Sequence, residues 1–317
     1  MNALRRLSRI LFITLMGTLS IISAQAEAPQ KGGTLTLILP SEPSALVALA
    51  TVAQPVIATS AKVNEGLLTY DYNLHPLPQL ATSWEISPDG KRYTFHLRKG
   101  VKWHDGQPFT SADVAYSLDL LKKTHPRAKS TFANVASIET PDDLTAILVL
   151  SHPAPYLFTA FAAGETPILP KHIYENGDVL KNPNNNAPIG TGPYIFEKWE
   201  RGSYILYKRN PNYWDAPKPY IDQLVVKFST DPTVRSLALQ TGQADIGYRT
   251  PVALSELKRL QENPKLEFET KGYNYSNSVA SIHFNLDDKP LDRKSTRLNS
   301  VTIRTRMPSS ACKKKKK

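Results

Sequence analysis

Residues 93–121, YTFHLRKGVKWHDGQPFTSADVAYSLDLL, decide how the rest of the chain is read. Tyr93, Phe95 and Leu97 alternate with Thr94, His96 and Arg98, the period of two that predicts a half-buried strand. Gly100 ends it, and Trp103-His104-Asp105-Gly106-Gln107-Pro108 carries turn chemistry through its Asp-Gly pair and proline. Thr110 stands where a helix N-cap stands, Asp113 completes a capping box, and Phe109 and Val114 occupy the two positions of a hydrophobic staple. Val114, Leu118 and Leu121 then continue as one apolar helical stripe. A strand, a turn and a capped helix in 29 residues predict a mixed α/β protein.

Outward from this stretch the same mixture recurs. Thr34–Leu39 alternates as a strand and runs into Pro40-Ser41-Glu42-Pro43. Residues 53–67 read as helix, and 68–99 as short strands with a turn at Ser87-Pro88-Asp89-Gly90. Ser137–Glu139 and Thr145–Leu150 read as strands paired around Pro141-Asp142-Asp143. The polar run Asn182-Pro183-Asn184-Asn185-Asn186 reads as a boundary loop. Tyr194–Trp199 and Tyr204–Lys208 predict a hairpin through Arg201-Gly202-Ser203. Ile221–Ser229 reads as a strand, Asp231-Pro232 as the cap of a helix that stops at Gly242, and Ala244–Tyr248 as a further strand.

The two ends have a different composition from the body. Arg5, Arg6 and Arg9 precede an apolar run, Ile10–Ile22, and Ala24-Gln25-Ala26 supplies a small-residue cleavage pattern, so residues 1–26 read as a secretory signal peptide. The apolar run is short for a bilayer crossing. At the other end, RKSTRLNSVTIRTRMPSSACKKKKK has no apolar period. Its opening, with Asp292 in front, matches the translation of a sequencing-library adapter, and its five lysines match a poly-A read. Residues 293–317 are therefore expected to be a non-native tail; the functional alternative is a basic arm for nucleic acid or anionic lipid.

The whole chain carries 39 Lys and Arg against 28 Asp and Glu, a net charge of +11. Thirteen of those basic residues and one acid lie in 1–26 and 292–317, which leaves residues 27–291 with 26 basic and 27 acidic side chains. The body is close to neutral, and no electrostatic footprint for nucleic acid remains in it. The single cysteine, Cys312, is also in the tail, so the body has neither a disulfide nor a thiol nucleophile.

Little in the body carries chemistry. Trp103-His104-Asp105 invites a metal or acid–base reading, but its turn setting favours packing. His152, His172 and His283 lack metal-ligand spacing. Gly190-Thr191-Gly192 lacks the Lys-Ser/Thr and the helix start of a phosphate loop. Asn210-Pro211-Asn212-Tyr213-Trp214 reads as a packed corner. We expect no catalytic residues, no metal site and no cofactor.

Function enters through a resemblance. GVKWHDGQPFTSADVAYSL resembles a signature of the family 5 extracellular solute-binding proteins of bacterial ABC importers, the dipeptide-, oligopeptide- and nickel-binding group. Further landmarks follow in that family's order: GGTLTLILPSEPSAL at 32–46, NEGLLTYD at 64–71, LPQLATSWEISPDGKRYTFHLR at 77–98, PIGTGPYIFEKW at 188–199, KRNPNYWD at 208–215, TGQADIGY at 241–248 and IHFNLDDKPLD at 282–292. The likeness runs from Lys31 to Asp292.

The resemblance implies a two-lobed periplasmic binding protein fold that closes on its ligand by a hinge. Residues 27–66 and 188–272 would form the main part of lobe one, 67–187 an inserted α/β subdomain, and 273–292 the start of a lobe two that is largely missing. It further implies a monomeric, periplasmic, non-enzymatic protein that delivers a peptide or peptide-like solute to an inner-membrane ABC permease. Ser41, Glu42, Pro43 and Tyr248 are the expected ligand contacts, with backbone groups pairing the solute as an added strand. The alternatives are an exported hydrolase, or a binding protein for a nickel chelate, an opine or an oligosaccharide.

Overall fold

A computed structural model describes residues 29–249 and 251–269. The expected leader, the expected tail, His283 and the start of the expected second lobe lie outside the described residues. Among the described residues no helix is long and apolar enough to cross a membrane.

Two sheets organise the chain. The first has five strands in the order β11-β1-β10-β9-β8: β1 is Thr34–Leu39, β8 Tyr194–Glu200, β9 Tyr204–Arg209, β10 Gln223–Phe228 and β11 Ile246–Gly247. β1 runs parallel to both β10 and β11, whereas β8, β9 and β10 are antiparallel. Leu37, Ile38 and Leu39 are all buried, as expected of a central strand covered on both faces. On one face Leu37 and Leu39 pack in a cluster with Ala58 and Val63 of α1 (Gln54–Val63). On the other, Ile38 joins a cluster with Ala238 of α3 (Pro232–Gln240).

The second sheet is antiparallel, in the order β4-β5-β7-β6: β4 is Ala81–Ile86, β5 Arg92–Leu97, β6 Val135–Asp142 and β7 Thr145–Leu150. Tyr93, Phe95 and Leu97 share one buried cluster with Val114, Leu118 and Leu121 of α2 (Ser111–Thr124). Arg92 faces outward and pairs with Glu139 at 2.7 Å. The Asp113 carboxylate accepts the Thr110 N–H at 2.9 Å, which starts α2 where the sequence indicates. Leu68–Tyr70 (β2) and Pro76–Pro78 (β3) form a separate short hairpin.

Several expected boundaries move. Residues 53–67 are not one helix: α1 stops at Val63, and Asn64 is already extended at φ −97° and ψ 143°. Gly66 then lies so close to the Phe161 carbonyl that a Cβ would meet it at 2.2 Å, and only glycine fits at this crossing. β6 is longer than Ser137–Glu139 because its pairing runs from Val135 to Asp142. Asn182–Asn186 is not a plain loop. Val179–Lys181 and Pro183–Asn185 form 3-10 turns, the second capped by the Asn182 side chain on Asn184 N–H. β11 keeps only two residues of the expected Ala244–Tyr248, since the Asp245 carboxylate takes the Thr36 N–H at 2.7 Å and Arg249 leaves the strand at φ +60°.

Candidate functional site

The three parallel strands all end on one side of the first sheet, and the loops that leave those ends meet there. In open α/β sheets this is the side where ligands bind. β1 runs out at Pro40, which has no N–H to continue a ladder. Ser229 N–H donates to the Leu39 carbonyl at 3.1 Å, and Tyr248 N–H to the Ile38 carbonyl at 3.2 Å. The segments holding the expected contacts Ser41, Glu42, Pro43 and Tyr248 are thereby brought to a single strand-end edge. The hairpin between β8 and β9 reaches the same edge, because Tyr204 pairs with Lys227 near the end of β10.

Ser41 and Glu42 are half-buried and Pro43 is buried. The Glu42 carboxylate accepts the Trp199 indole N–H at 2.9 Å and the Gly202 amide at 3.2 Å. Arg201 stacks its guanidinium 3.3 Å above the Trp199 ring. The side chain of Glu42 thus ties the β1 loop to the hairpin tip, and Trp199, Arg201 and Gly202 at that tip carry no local sequence signal of the contact. Tyr248 is half-buried, its hydroxyl donates to Gln54 Oε1 at 3.3 Å, and burial pushes its phenol pKa upward.

The remaining motifs gather elsewhere, around one carboxylate. Glu65 is 1 % exposed. It accepts hydrogen bonds from Tyr213 Oη at 2.7 Å, Thr191 Oγ1 at 2.8 Å, Trp214 Nε1 at 2.9 Å and Gln79 Nε2 at 3.3 Å. Burial raises its pKa against the pull of these four donors. Arg98 covers Trp214 at 3.9 Å from the ring centroid. NEGL, LPQL, GTG and NPNYW are therefore one structural knot, whose only sequence signal is a lone acid inside the apolar NEGLL run.

The other candidates resolve in the same direction. Trp103 is buried with its indole N–H aimed at Asp113 Oδ2, 3.4 Å away. His104 receives the Gly190 N–H on Nδ1 at 3.4 Å, so its proton sits on Nε2 and donates to the Gly192 carbonyl at 3.0 Å. Burial lowers its pKa. Asp105 pairs with His172 at 2.7 Å on the surface. The Gly190-Thr191-Gly192 loop is filled by chain: Val63 O accepts the Gly192 N–H, and a Cβ on Gly190 would stand 1.9 Å from that oxygen. Among the described residues no group of three or more His, Cys, Asp or Glu is arranged to hold a metal ion.

Comparison with known proteins agrees with this architecture. A family model described as bacterial extracellular solute-binding proteins, family 5 Middle, matches residues 75–298, which reaches six residues past Asp292. The di/tripeptide-binding protein 1 of Pseudomonas aeruginosa is 31 % identical over 245 residues, covering 70 % of this chain and 44 % of that protein. Among solved structures, the oligopeptide-binding protein AppA of Bacillus subtilis in complex with a nonapeptide superposes with a TM-score of 0.66 at 29 % identity, covering 74 % of this chain and 47 % of its own. AgaA of A. tumefaciens R10, in complex with agropinic acid, superposes with a TM-score of 0.65 at 35 % identity, covering 73 % and 46 %. The chain spans less than half the length of each of these proteins.

Proposed function

Because the chain belongs to the bacterial extracellular solute-binding proteins, family 5, we propose that it captures a peptide or peptide-like solute in the periplasm. It would hand that solute to an inner-membrane ABC importer without acting on it chemically. The observation that carries this reading is the convergence of the loops after β1, β10 and β11 on one edge of the sheet. On this reading residues 27–66 and 188–272 are the main part of lobe one, and 67–187 are its inserted subdomain. Residues 1–26 are the export leader.

Ser41, Glu42, Pro43 and Tyr248 line the solute site in this proposal, with the backbone of the loop pairing the solute main chain as an added strand. That mode yields affinity with little dependence on the solute's side chains. The test is calorimetry on the full-length protein with di- to pentapeptides, agropinic acid and nickel–histidine as alternative solutes. Ser41→Ala should change affinity less than about threefold, since it leaves the backbone intact. Glu42→Pro should weaken binding tenfold or more by removing an N–H and fixing φ. Glu42→Ala keeps that N–H and serves as control for the lost tie to Trp199. Peptide binding that Glu42→Pro leaves unchanged would place the site elsewhere, and saturable binding of only a non-peptide solute would replace the peptide reading.

A further inference from the structure

Arg235 sits in the first turn of α3 and is 6 % exposed, yet among the described residues no carboxylate forms a salt bridge with it. Both circumstances are unfavourable. A guanidinium taken out of water needs compensation, and a cation in the first turn opposes the helix dipole. Its hydrogen bonds go to main chain: Nη1 donates to the Ser229 carbonyl at 2.6 Å and Nε to the Pro251 carbonyl at 2.7 Å.

Those carbonyls belong to the segments that leave β10 and β11. Ser229 is itself bonded to the end of β1 through the Leu39 carbonyl. Pro251 folds back so tightly on β11 that a Cβ on Gly247 would meet its ring atoms at 2.5 Å. The reversal between them passes through Arg249 at φ +60°, a left-handed conformation disfavoured for a residue with a side chain. A strained turn persists only where its surroundings hold it, and such turns concentrate at sites that need fixed geometry.

We infer that Arg235 is a positioning residue for the solute site: its guanidinium fork holds the segments after β10 and β11 in fixed register beside the β1 loop. This rests on the proposed reading of that edge as the solute site. A planar fork can satisfy two carbonyls in fixed directions, whereas the ammonium of lysine is a point donor on a flexible stem. Arg235→Lys therefore keeps the charge and loses the bridge.

Two measurements test it. On the full chain, hydrogen exchange of the amides of Ser229, Thr230, Asp231, Tyr248, Arg249 and Val252 should accelerate tenfold or more in Arg235→Met and Arg235→Lys, with the amides of β9 unchanged. In the full-length protein, trialanine affinity should fall at least tenfold in both variants while the melting temperature moves little. Unchanged exchange in these segments, or acceleration spread evenly over the sheet, would overturn the assignment. So would unaltered trialanine affinity in the variants. If trialanine fails to bind the wild-type protein, the peptide reading falls and the exchange experiment alone decides on Arg235.

Discussion

Glu65 shows at the level of one residue how this fold uses a buried charge. A carboxylate removed from water is costly unless its lone pairs are filled, and here four uncharged donors fill them. Truncating one partner of such a network leaves the others buried and unpaired, which costs more than the network contributes net. Glu65→Ala strands four uncharged donors and should lower the unfolding free energy by about 3 kcal/mol or more, as measured by urea denaturation. Glu65→Gln should cost about 1–3 kcal/mol. The hydroxyls of Thr191 and Tyr213 can rotate to accept from an amide, but the Trp214 indole can only donate. A loss below 1 kcal/mol for Glu65→Ala would show that the knot contributes little to stability.

At the level of elements, the chain crosses twice between the parts of the fold that hold the two sheets, at 64–67 and near 190–192, and the crossings touch backbone to backbone. Gly190 and Gly192 lie against Val63 O, and Gly66 lies against Phe161 O. Gly190→Ala must push the crossings apart, at about 3 kcal/mol or more, because well-packed chain absorbs added volume poorly. Gly177 is the contrast, with φ +93° and open space around its Cβ position. Alanine there meets only backbone strain, about 1–2 kcal/mol. Melting curves of the two variants should rank in that order, and equal destabilisation would remove the special role given to the crossing.

The same elements show what could be read in advance. β1, the β8–β9 hairpin, the capped start of α2 and α3 with its Asp231 cap are set by neighbours within a few residues, and all form close to the expected positions. The end of α1 and the shortness of β11 are set by distant partners, Phe161 for one and Thr36 for the other, and local pattern cannot report those. The proposed site divides the same way. Ser41–Pro43 and Tyr248 rest on the family resemblance and strand-end logic, whereas Trp199, Gly202 and Arg235 join that edge only through contacts across more than a hundred residues or through main-chain carbonyls.

Across the whole molecule, two buried groups push stability in opposite directions as pH changes. Glu65 has its pKa raised by burial, with Thr191, Tyr213, Trp214 and Gln79 against it and Arg98 behind Trp214. Its contribution is fully present below the ordinary carboxyl value of 4.5 and is lost as pH rises through the higher folded value. His125 caps the end of α2, is 3 % exposed, and has both ring nitrogens buried without a hydrogen-bond partner among the described residues. Burial, helped by the charge of Arg127, lowers its pKa from 6.5 to about 4. Its contribution is present above 6.5 and is lost as pH falls toward about 4. Between pH 4.5 and 6.5 the two effects oppose each other. His125→Leu should turn the slope toward falling stability as pH rises, against the effect of the same sign that buried His104 still adds. Glu65→Gln should leave the His125 effect, so that stability rises with pH over the same interval. The exposed carboxylates Asp71, Glu139 and Asp231, all held below their ordinary values by hydrogen bonds, add a loss below about pH 4 common to every variant. Melting temperatures across pH 4.5–6.5 decide the matter: single variants whose slopes shift the same way from wild type would show that neither group governs the acid response of the fold.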